Sequence, residues 1–239
     1  MLTVLRSLTF YCAFYVGSLG YVLMALALIR WRPAKLSAHV WRWSRFHRDC
    51  VTHILGIDVV EHGERADRPV LYALKHESFF EAIDLPQLLD QPVIFAKQEL
   101  FEIPGWGRVA AGYGAIPVAR AEGARALRAM VRSAQAVIGQ SRPLAIFPEG
   151  TRIPHGTRAP LRSGFAMLYK MLGLPVVPVA VSSGPTYHSV WKRSGRIDIR
   201  FGEMIEPGLP RAELEARVLE QINALNSEAE TASSAASSG

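Results

Sequence analysis

Cysteine is scarce in this chain of 239 residues, which contains only Cys12 and Cys50. Two cysteines cannot form a disulfide framework or a cysteine-rich zinc site, so both classes of protein are excluded. Charged residues make up 20% of the chain and hydrophobic residues 49%. This balance excludes an intrinsically disordered protein and fits one domain of ordinary size with a small appendage.

The motifs of several large enzyme classes are also missing. The sequence has no G-x-G-x-x-G fingerprint, no Walker A loop, no G-x-S-x-G elbow, no H-E-x-x-H and no C-x-x-C. Dinucleotide-dependent enzymes, P-loop kinases, serine hydrolases and zinc proteases are therefore disfavoured. The chain does carry 27 Lys and Arg against 21 Asp and Glu, a net charge of +6. Such a charge favours a partner with phosphate groups: nucleic acid, anionic lipid or a phosphorylated small molecule.

Residues 7–29 contain no charged side chain and consist mainly of Leu, Phe, Tyr, Val, Met and Ala. About twenty apolar residues are enough for a helix to cross the hydrocarbon core of a bilayer. Arg30, Arg32 and Lys35 follow the run, and a basic flank of this kind favours the cytoplasmic side for the rest of the chain. We therefore predict a membrane helix at the N-terminus, with the remaining domain facing the cytoplasm.

Two other interpretations of this segment stay open. One is a cleaved signal peptide, because residues 25–27 form an A-x-A sequence. The other is a helical hairpin that bends near Gly17 and Gly20 and dips into one leaflet. Residues 36–55 add aromatic residues and arginines. This mixture is typical of a helix in the headgroup zone of a membrane, so lipid explains the basic and aromatic residues better than nucleic acid does. The alternative is a plain amphipathic helix packed on the globular domain.

The sequence predicts three parts. We expect residues 1–55 to form a membrane-anchoring helical segment, residues 56–226 to form one domain of catalytic type, and residues 227–239 to form a small, polar, disordered tail. β-rich runs bounded by glycine or proline predict strands within residues 57–62, 69–75, 92–97, 114–118, 143–147, 175–181 and 196–202. Helical patterns cover residues 78–90, 99–111, 122–139, 163–172 and 210–226. This alternation predicts an α/β fold with a largely parallel central sheet of about seven strands flanked by helices.

His53 and His76 each begin a His-x4-acid spacing. His53 ends a helical stretch and Asp58 begins a strand, so we interpret this pair as structural. His76 instead follows a buried strand and precedes a helix, the position where α/β folds place their chemistry. Glu81, on the first turn of that helix, can orient the imidazole for proton transfer. The alternative is a capping box from Ser78 to Glu81, in which the carboxylate only caps the helix.

Residues 147–152, F-P-E-G-T-R, also follow a strand. Gly150 allows a tight turn and a close approach of the backbone to a ligand, and Arg152 offers a planar fork for phosphate oxygens. Lys97 and Arg120 each end a strand-like run at the same edge of the predicted sheet. The alternative for these positions is a surface turn with ordinary solvated charges.

Together these blocks resemble the 1-acyl-sn-glycerol-3-phosphate acyltransferase family. Lys75-His76 with Glu81 resembles its N-H-x4-D motif, residues 97–104 and 114–120 its second block, residues 147–152 its F-P-E-G-T-R block, and residues 175–181 its V-P-V block. The chain departs from the family pattern at Lys75, where asparagine is usual, and at Glu81, where aspartate is usual. The longer carboxylate side chain can still hold an imidazole.

The resemblance implies that the protein transfers a fatty acyl group from acyl-CoA or acyl carrier protein to the sn-2 hydroxyl of lysophosphatidic acid, in phospholipid biosynthesis at the membrane. His76 would be the general base and Glu81 its orienting partner. The acceptor would be bound by Lys97, Arg120, Glu149, Gly150, Thr151 and Arg152. The resemblance implies no metal, no bound cofactor and no nucleic acid. Alternatives are a different acceptor such as a lyso-ornithine lipid, a non-catalytic lipid-binding protein, or a hydrolase.

Overall fold

A seven-stranded sheet forms the centre of the structure, a computed structural model that describes residues 1–118, 123–138 and 142–226. The strands are β1 (Ile57–His62), β2 (Leu71–Leu74), β3 (Val93–Lys97), β4 (Ile116–Val118), β5 (Leu144–Ile146), β6 (Val176–Val181) and β7 (Gly195–Phe201). Each strand lies within a predicted run or extends one residue beyond it. Strand β2 is buried along its whole length, as expected for a strand covered on both faces.

The strand order is β1-β7-β6-β2-β5-β3-β4. Strands β6, β2, β5, β3 and β4 run parallel to one another, β7 is antiparallel to β6, and β1 is parallel to β7. The prediction of a largely parallel sheet is therefore confirmed. The carboxyl ends of the five parallel strands meet along one side of the sheet, which we call the carboxyl edge.

Eight α-helices surround the sheet in the part of the chain that the structure describes. They are α1 (Leu2–Trp31), α2 (Leu36–Cys50), α3 (Phe79–Leu88), α4 (Trp106–Tyr113), α5 (Gly123–Ile138), α6 (Ser163–Leu172), α7 (Gly184–Tyr187) and α8 (Arg211–Ile222). The single helix predicted over residues 99–111 is wrong. A short 3-10 helix, Gln98–Glu102, precedes α4, and the break falls at Pro104 and Gly105, where the glycine has φ 76°.

The N-terminal segment is a helical hairpin, but it does not turn where the glycines predicted. Helix α1 continues through Gly17 and Gly20 without a break, and the chain reverses in the short helix Pro33–Lys35 before α2. A Cβ atom on Gly17 would lie 2.6 Å from the ring of Phe46, on α2. Gly17 therefore permits close packing of the two helices instead of a bend.

The hairpin and the sheet share one hydrophobic core. Phe10 and Phe14 of α1 are buried in the same cluster as Trp43 and Leu55 and as residues of β2, β6 and β7. One face of α2 is also buried, so this helix packs on the globular domain. Cleavage after residue 27 would remove Phe10 and Phe14 from the core, which argues against a signal peptide.

The opposite face of α1 is exposed and apolar. Among the described residues, α1 is the one helix long and apolar enough to cross a membrane, judged by length and composition. Large apolar side chains are exposed along it: Leu2, Leu5, Leu8, Tyr15, Val16, Leu19, Leu23 and Met24. The tail predicted to be disordered, residues 227–239, lies outside the described residues, as does Arg120.

Candidate active site

His76 lies at the carboxyl edge, two residues beyond the end of β2. Its Nδ1 atom is 3.1 Å from Oε2 of Glu81, and the ring stacks on Phe147 with centroids 4.1 Å apart. A carboxylate only accepts hydrogen bonds, so Nδ1 carries the proton and Nε2 is left with its lone pair. The side chain is 14% exposed, which leaves the imidazole open to a substrate.

Glu81 holds the imidazole and caps the helix at the same time. Oε2 of Glu81 accepts from the backbone N–H of Ser78 at 3.0 Å, while Oγ of Ser78 accepts from the N–H of Phe80 at 3.1 Å. The same Oε2 atom faces His76. The two alternatives left open by the sequence are therefore both present, because the capping box aims the carboxylate at the imidazole.

A buried ion pair lies beneath His76. The ammonium group of Lys75 is within 2.9 Å of three oxygens: Glu149 Oε1, the Thr157 carbonyl and Asn223 Oδ1. Both charged side chains are fully buried. Burial raises the pKa of the Glu149 carboxyl group, and the ammonium of Lys75 opposes that rise. All three N–H groups of the ammonium have acceptors, so the charge is compensated inside the protein.

Glu149 does not fit its expected role as a residue that contacts the acceptor. One carboxylate oxygen binds Lys75, and the other accepts from the backbone N–H of His76 at 3.3 Å. The carboxylate points inward because Lys75 provides a buried cation. Glu149 thus fixes the main chain at His76 and contributes to the site only indirectly.

The turn of residues 147–152 lies beside His76. Gly150 has φ 68°, a left-handed conformation that favours glycine, and Ile153 donates its N–H to the carbonyl of His76 at 2.8 Å. Thr151 is half-buried and Arg152 is exposed. The guanidinium carbon of Arg152 lies 4.1 Å from the centroid of Phe79, on the first turn of α3. This stacking leaves the edge of the guanidinium group available for oxygen acceptors.

Lys97 is exposed at the carboxyl end of β3. Ile94 pairs with Ala145, so extension of this register places Lys97 level with Pro148 of the turn. Lys97 and Arg152 therefore share the carboxyl edge with His76. Arg120, two residues beyond β4, lies outside the described residues.

The structure does not bring His53 and Asp58 together as a pair. His53 is exposed in the π-helical turn Val51–Leu55, Gly56 follows with φ 70°, and Asp58 is exposed on β1. The contacts of the described residues include no hydrogen bond or ion pair between the two side chains. Both line an open cleft of about 610 Å³ together with Arg45 and Arg196.

Two residues at the carboxyl edge were missed by the sequence analysis. Ser183, beyond β6, donates a hydrogen bond to Glu81. Glu77 is buried, accepts from the N–H of Gly184 at 2.8 Å and is bonded to Nδ1 of His155 at 2.9 Å. That hydrogen bond raises the pKa of His155. Glu77 could have been identified from the sequence by its position next to His76. Ser183 could have been identified only because it follows a predicted strand.

Comparison with known proteins agrees with this geometry. The family model for the acyltransferase family matches residues 56–182, which include His76, Glu81, Lys97 and the turn of residues 147–152. The chain belongs to the acyltransferase family. This acyltransferase is 27% identical to the 1-acyl-sn-glycerol-3-phosphate acyltransferase of Pseudomonas aeruginosa over 198 residues, which cover 80% of the chain and 74% of the relative.

Two further comparisons extend the similarity. A human protein named 1-acyl-sn-glycerol-3-phosphate acyltransferase beta is 26% identical over 156 residues, 63% of this chain and 56% of that protein. The crystal structure of the 1-acyl-sn-glycerophosphate acyltransferase PlsC from Thermotoga maritima superposes with a TM-score of 0.76 and 21% identity, over 95% of this chain and 98% of that one. The match covers nearly all of both chains, so the two proteins share the same overall fold.

Replacement of the acid in the His53–Asp58 spacing and in the His76–Glu81 spacing distinguishes which of these two pairs acts in catalysis. Glu81→Gln removes the charge that orients His76, so we expect acyl transfer to fall by about 10²–10⁴-fold, the usual contribution of general-base catalysis. Asp58→Asn is the matched control and should keep nearly the wild-type rate, since Asp58 does not contact His53. Initial rates measured with a labelled acyl thioester would give both values. The reverse order of effects would identify His53 and Asp58 as the catalytic pair.

Proposed function

We propose that this acyltransferase moves a fatty acyl group from an acyl thioester to the free sn-2 hydroxyl of lysophosphatidic acid, which yields phosphatidic acid. The observation that carries the proposal is the pairing of His76 with Glu81 at an edge that also presents Lys97 and Arg152. A base and exposed cations at one edge suit an acceptor with both a hydroxyl and a phosphate. The names of the relatives support the same acceptor.

In the proposed reaction, Nε2 of His76 removes the proton of the acceptor hydroxyl while the oxygen attacks the thioester carbonyl. The new carbon–oxygen bond forms, the tetrahedral intermediate collapses, and the carbon–sulfur bond breaks. The leaving sulfur takes the proton back from the imidazolium, so the enzyme ends in its original state. Glu81 stabilises the imidazolium between the two proton transfers, and the thioester itself supplies the activation.

A direct transfer, without an acyl-enzyme intermediate, fits the side chains around His76. Ser78 and Ser183 are the hydroxyl groups next to the dyad, and both are buried with their oxygens bonded to each other and to Glu81. Cys50 is buried and Cys12 lies on α1. The acceptor hydroxyl is therefore proposed to be the group that attacks the thioester.

The acceptor phosphate is proposed to bind Arg152 and Lys97, with Arg120 as a third cation by family resemblance. A guanidinium group binds two phosphate oxygens through parallel N–H donors, and its stacking on Phe79 fixes the plane of the fork. Gly150 and Thr151, which lie in the same turn as Arg152, are proposed to shape the acceptor site. The donor is proposed to be acyl-CoA or acyl carrier protein, and no metal or bound cofactor takes part in the proposed chemistry.

Helix α1 is proposed to lie in one leaflet of the cytoplasmic membrane instead of crossing it. Contacts hold it to the protein along its length: Ser7 accepts from the N–H of Lys192 at 2.9 Å, Ser18 accepts from Trp43 at 2.9 Å, and Ala25 is buried. A perpendicular crossing would carry the packed flank of the domain into hydrocarbon, where unpaired polar groups are costly. The exposed apolar face of α1 is then the surface that enters the lipid.

This placement brings the lipid substrate to the site. Tyr11 of α1 donates to the carbonyl of Val190 at 2.6 Å, and Val190 and Trp191 are exposed beside it. Both residues follow α7, and α7 itself begins shortly after the carboxyl end of β6. The apolar surface therefore extends from α1 to the carboxyl edge, and the basic residues after α1 favour the cytoplasmic face.

Labelling of single cysteines tests whether α1 spans the bilayer. Thr3→Cys and Ala34→Cys, each in a Cys12→Ser background, place exposed thiols at the two ends of α1. A helix that lies in one leaflet keeps both ends on the same side. A membrane-impermeant maleimide should therefore label both variants in inside-out vesicles of a bacterial host and neither in right-side-out spheroplasts. Labelling of Thr3→Cys from the outside and Ala34→Cys from the inside would establish a spanning helix.

A panel of acceptors tests the proposed substrate. Purified enzyme in detergent, supplied with a labelled acyl thioester, should acylate lysophosphatidic acid faster than a zwitterionic lysophospholipid or a lyso-ornithine lipid. Arg152→Ala should lower kcat/KM for lysophosphatidic acid by about 10- to 100-fold, the effect of losing hydrogen bonds to a charged group. Arg211→Ala, an exposed arginine on the first turn of α8, is the matched control and should leave kcat/KM unchanged.

The products distinguish the alternatives. Preferred acylation of the lyso-ornithine lipid, or an effect of Arg152→Ala that is confined to the thioester donor, would refute the phosphate-binding site. Free fatty acid released without acceptor would indicate a hydrolase, and failure to consume any thioester would indicate a lipid-binding protein. Thin-layer separation of the labelled lipids distinguishes the products, and initial rates at varied thioester concentration show whether the effect of Arg152→Ala is confined to the donor.

A further inference from the structure

Ser183 contacts the catalytic carboxylate from a different part of the fold. It follows β6, is fully buried, and donates its hydroxyl to Oε1 of Glu81. Its Oγ also lies 2.7 Å from Oγ of Ser78. Either hydroxyl can be the donor in that contact, and Ser78 Oγ also donates to Oε1 of Glu81 at 3.5 Å. The two serines and the carboxylate therefore form one buried hydrogen-bond network.

The two oxygens of Glu81 have separate partners. Oε2 receives the backbone N–H of Ser78 and faces Nδ1 of His76, at 3.0 and 3.1 Å. Oε1 receives the hydroxyl of Ser183, with Ser78 Oγ at 3.5 Å. A donor on Oε1 fixes the rotation of the carboxylate about its last bond. The orientation of Oε2 toward the imidazole thus depends on Ser183.

Ser183 is itself held by elements outside α3. In the sheet register Leu74 pairs with Val179, so the chain beyond β6 lies alongside His76. The carbonyl of Ser183 accepts from the N–H of Tyr187 at 2.8 Å, and the next N–H, from Gly184, binds Glu77 at 2.8 Å. These hydrogen bonds fix the backbone of Ser183, which carries the hydroxyl group. Its position therefore does not depend on Glu81.

We propose that Ser183 is a positioning residue for the catalytic dyad. Its hydroxyl holds the carboxylate of Glu81 in the rotamer that orients His76. A glutamate side chain has several rotatable bonds, and this freedom must be lost when its carboxylate is fixed. The hydroxyl of Ser183, which follows β6, restrains the carboxylate of Glu81. The inference rests on the proposed role of His76 as the base.

Ser183→Ala tests the role of the hydroxyl. The change removes one donor to a charged group without adding volume, so we expect kcat to fall by about 10- to 100-fold while KM for both substrates changes little. Ser44→Ala is the matched control. Ser44 is equally buried and donates to the carbonyl of Ile83 on α3 at 2.7 Å, but it does not contact Glu81. It should lower the thermal unfolding midpoint about as much and leave kcat unchanged.

A double substitution separates positioning from a general structural role. In a Glu81→Gln background the dyad is already broken, so the further change Ser183→Ala should cost less than 2-fold in kcat, within the limits of coupling between neighbouring groups. Losses that multiply in the double variant would overturn the proposal, and so would a wild-type kcat for Ser183→Ala. A wild-type rate for Glu81→Gln alone would contradict the proposed role of the dyad, whatever the effect of Ser183→Ala. Failure of the proposed function is therefore distinguishable from failure of the role proposed for Ser183.

Discussion

The hydrogen bond between His76 and Glu81 is the interaction on which the rest of the site depends. It joins the end of β2 to the first turn of α3, and its carboxylate is also the cap of that helix. The parallel sheet brings the ends of β5 and β6 to the same edge, where Phe147 supports the imidazole and Ser183 meets the carboxylate. The fold therefore provides an imidazole with a fixed tautomer, which is proposed to be the base, and the same edge carries the cations proposed to bind the acceptor.

The buried pair of Lys75 and Glu149 stabilises this edge from below. Removal of two charges from water is costly, and a buried pair adds little net stability even when every hydrogen bond is satisfied. Its value here lies in connectivity, since it ties the strand end at His76 to the turn of residues 147–152 and to Asn223 after α8. Loss of either partner would leave an uncompensated buried charge, so the lysine and the glutamate depend on each other.

The sequence predicted the sheet well because buried parallel strands are short apolar runs with clear boundaries. It also located His76, Glu81 and the turn of residues 147–152, since polar residues that follow such runs stand out. It could not predict that Glu149 turns inward to Lys75, because that contact joins residues 74 positions apart. Ser183 was missed for the same reason. The bend predicted at Gly17 and Gly20 of α1 was wrong because the sequence does not show that the ring of Phe46 packs against Gly17.

The most direct test of the central claim is the rate of acyl transfer by His76→Ala, measured together with its thermal unfolding. The imidazole is partly exposed, and the capping box does not need it, so the variant should unfold near the wild-type temperature. Because His76 is proposed to be the general base, we expect kcat to fall by about 10²–10⁴-fold with lysophosphatidic acid as acceptor. A folded His76→Ala enzyme that transfers the acyl group at the wild-type rate would contradict it.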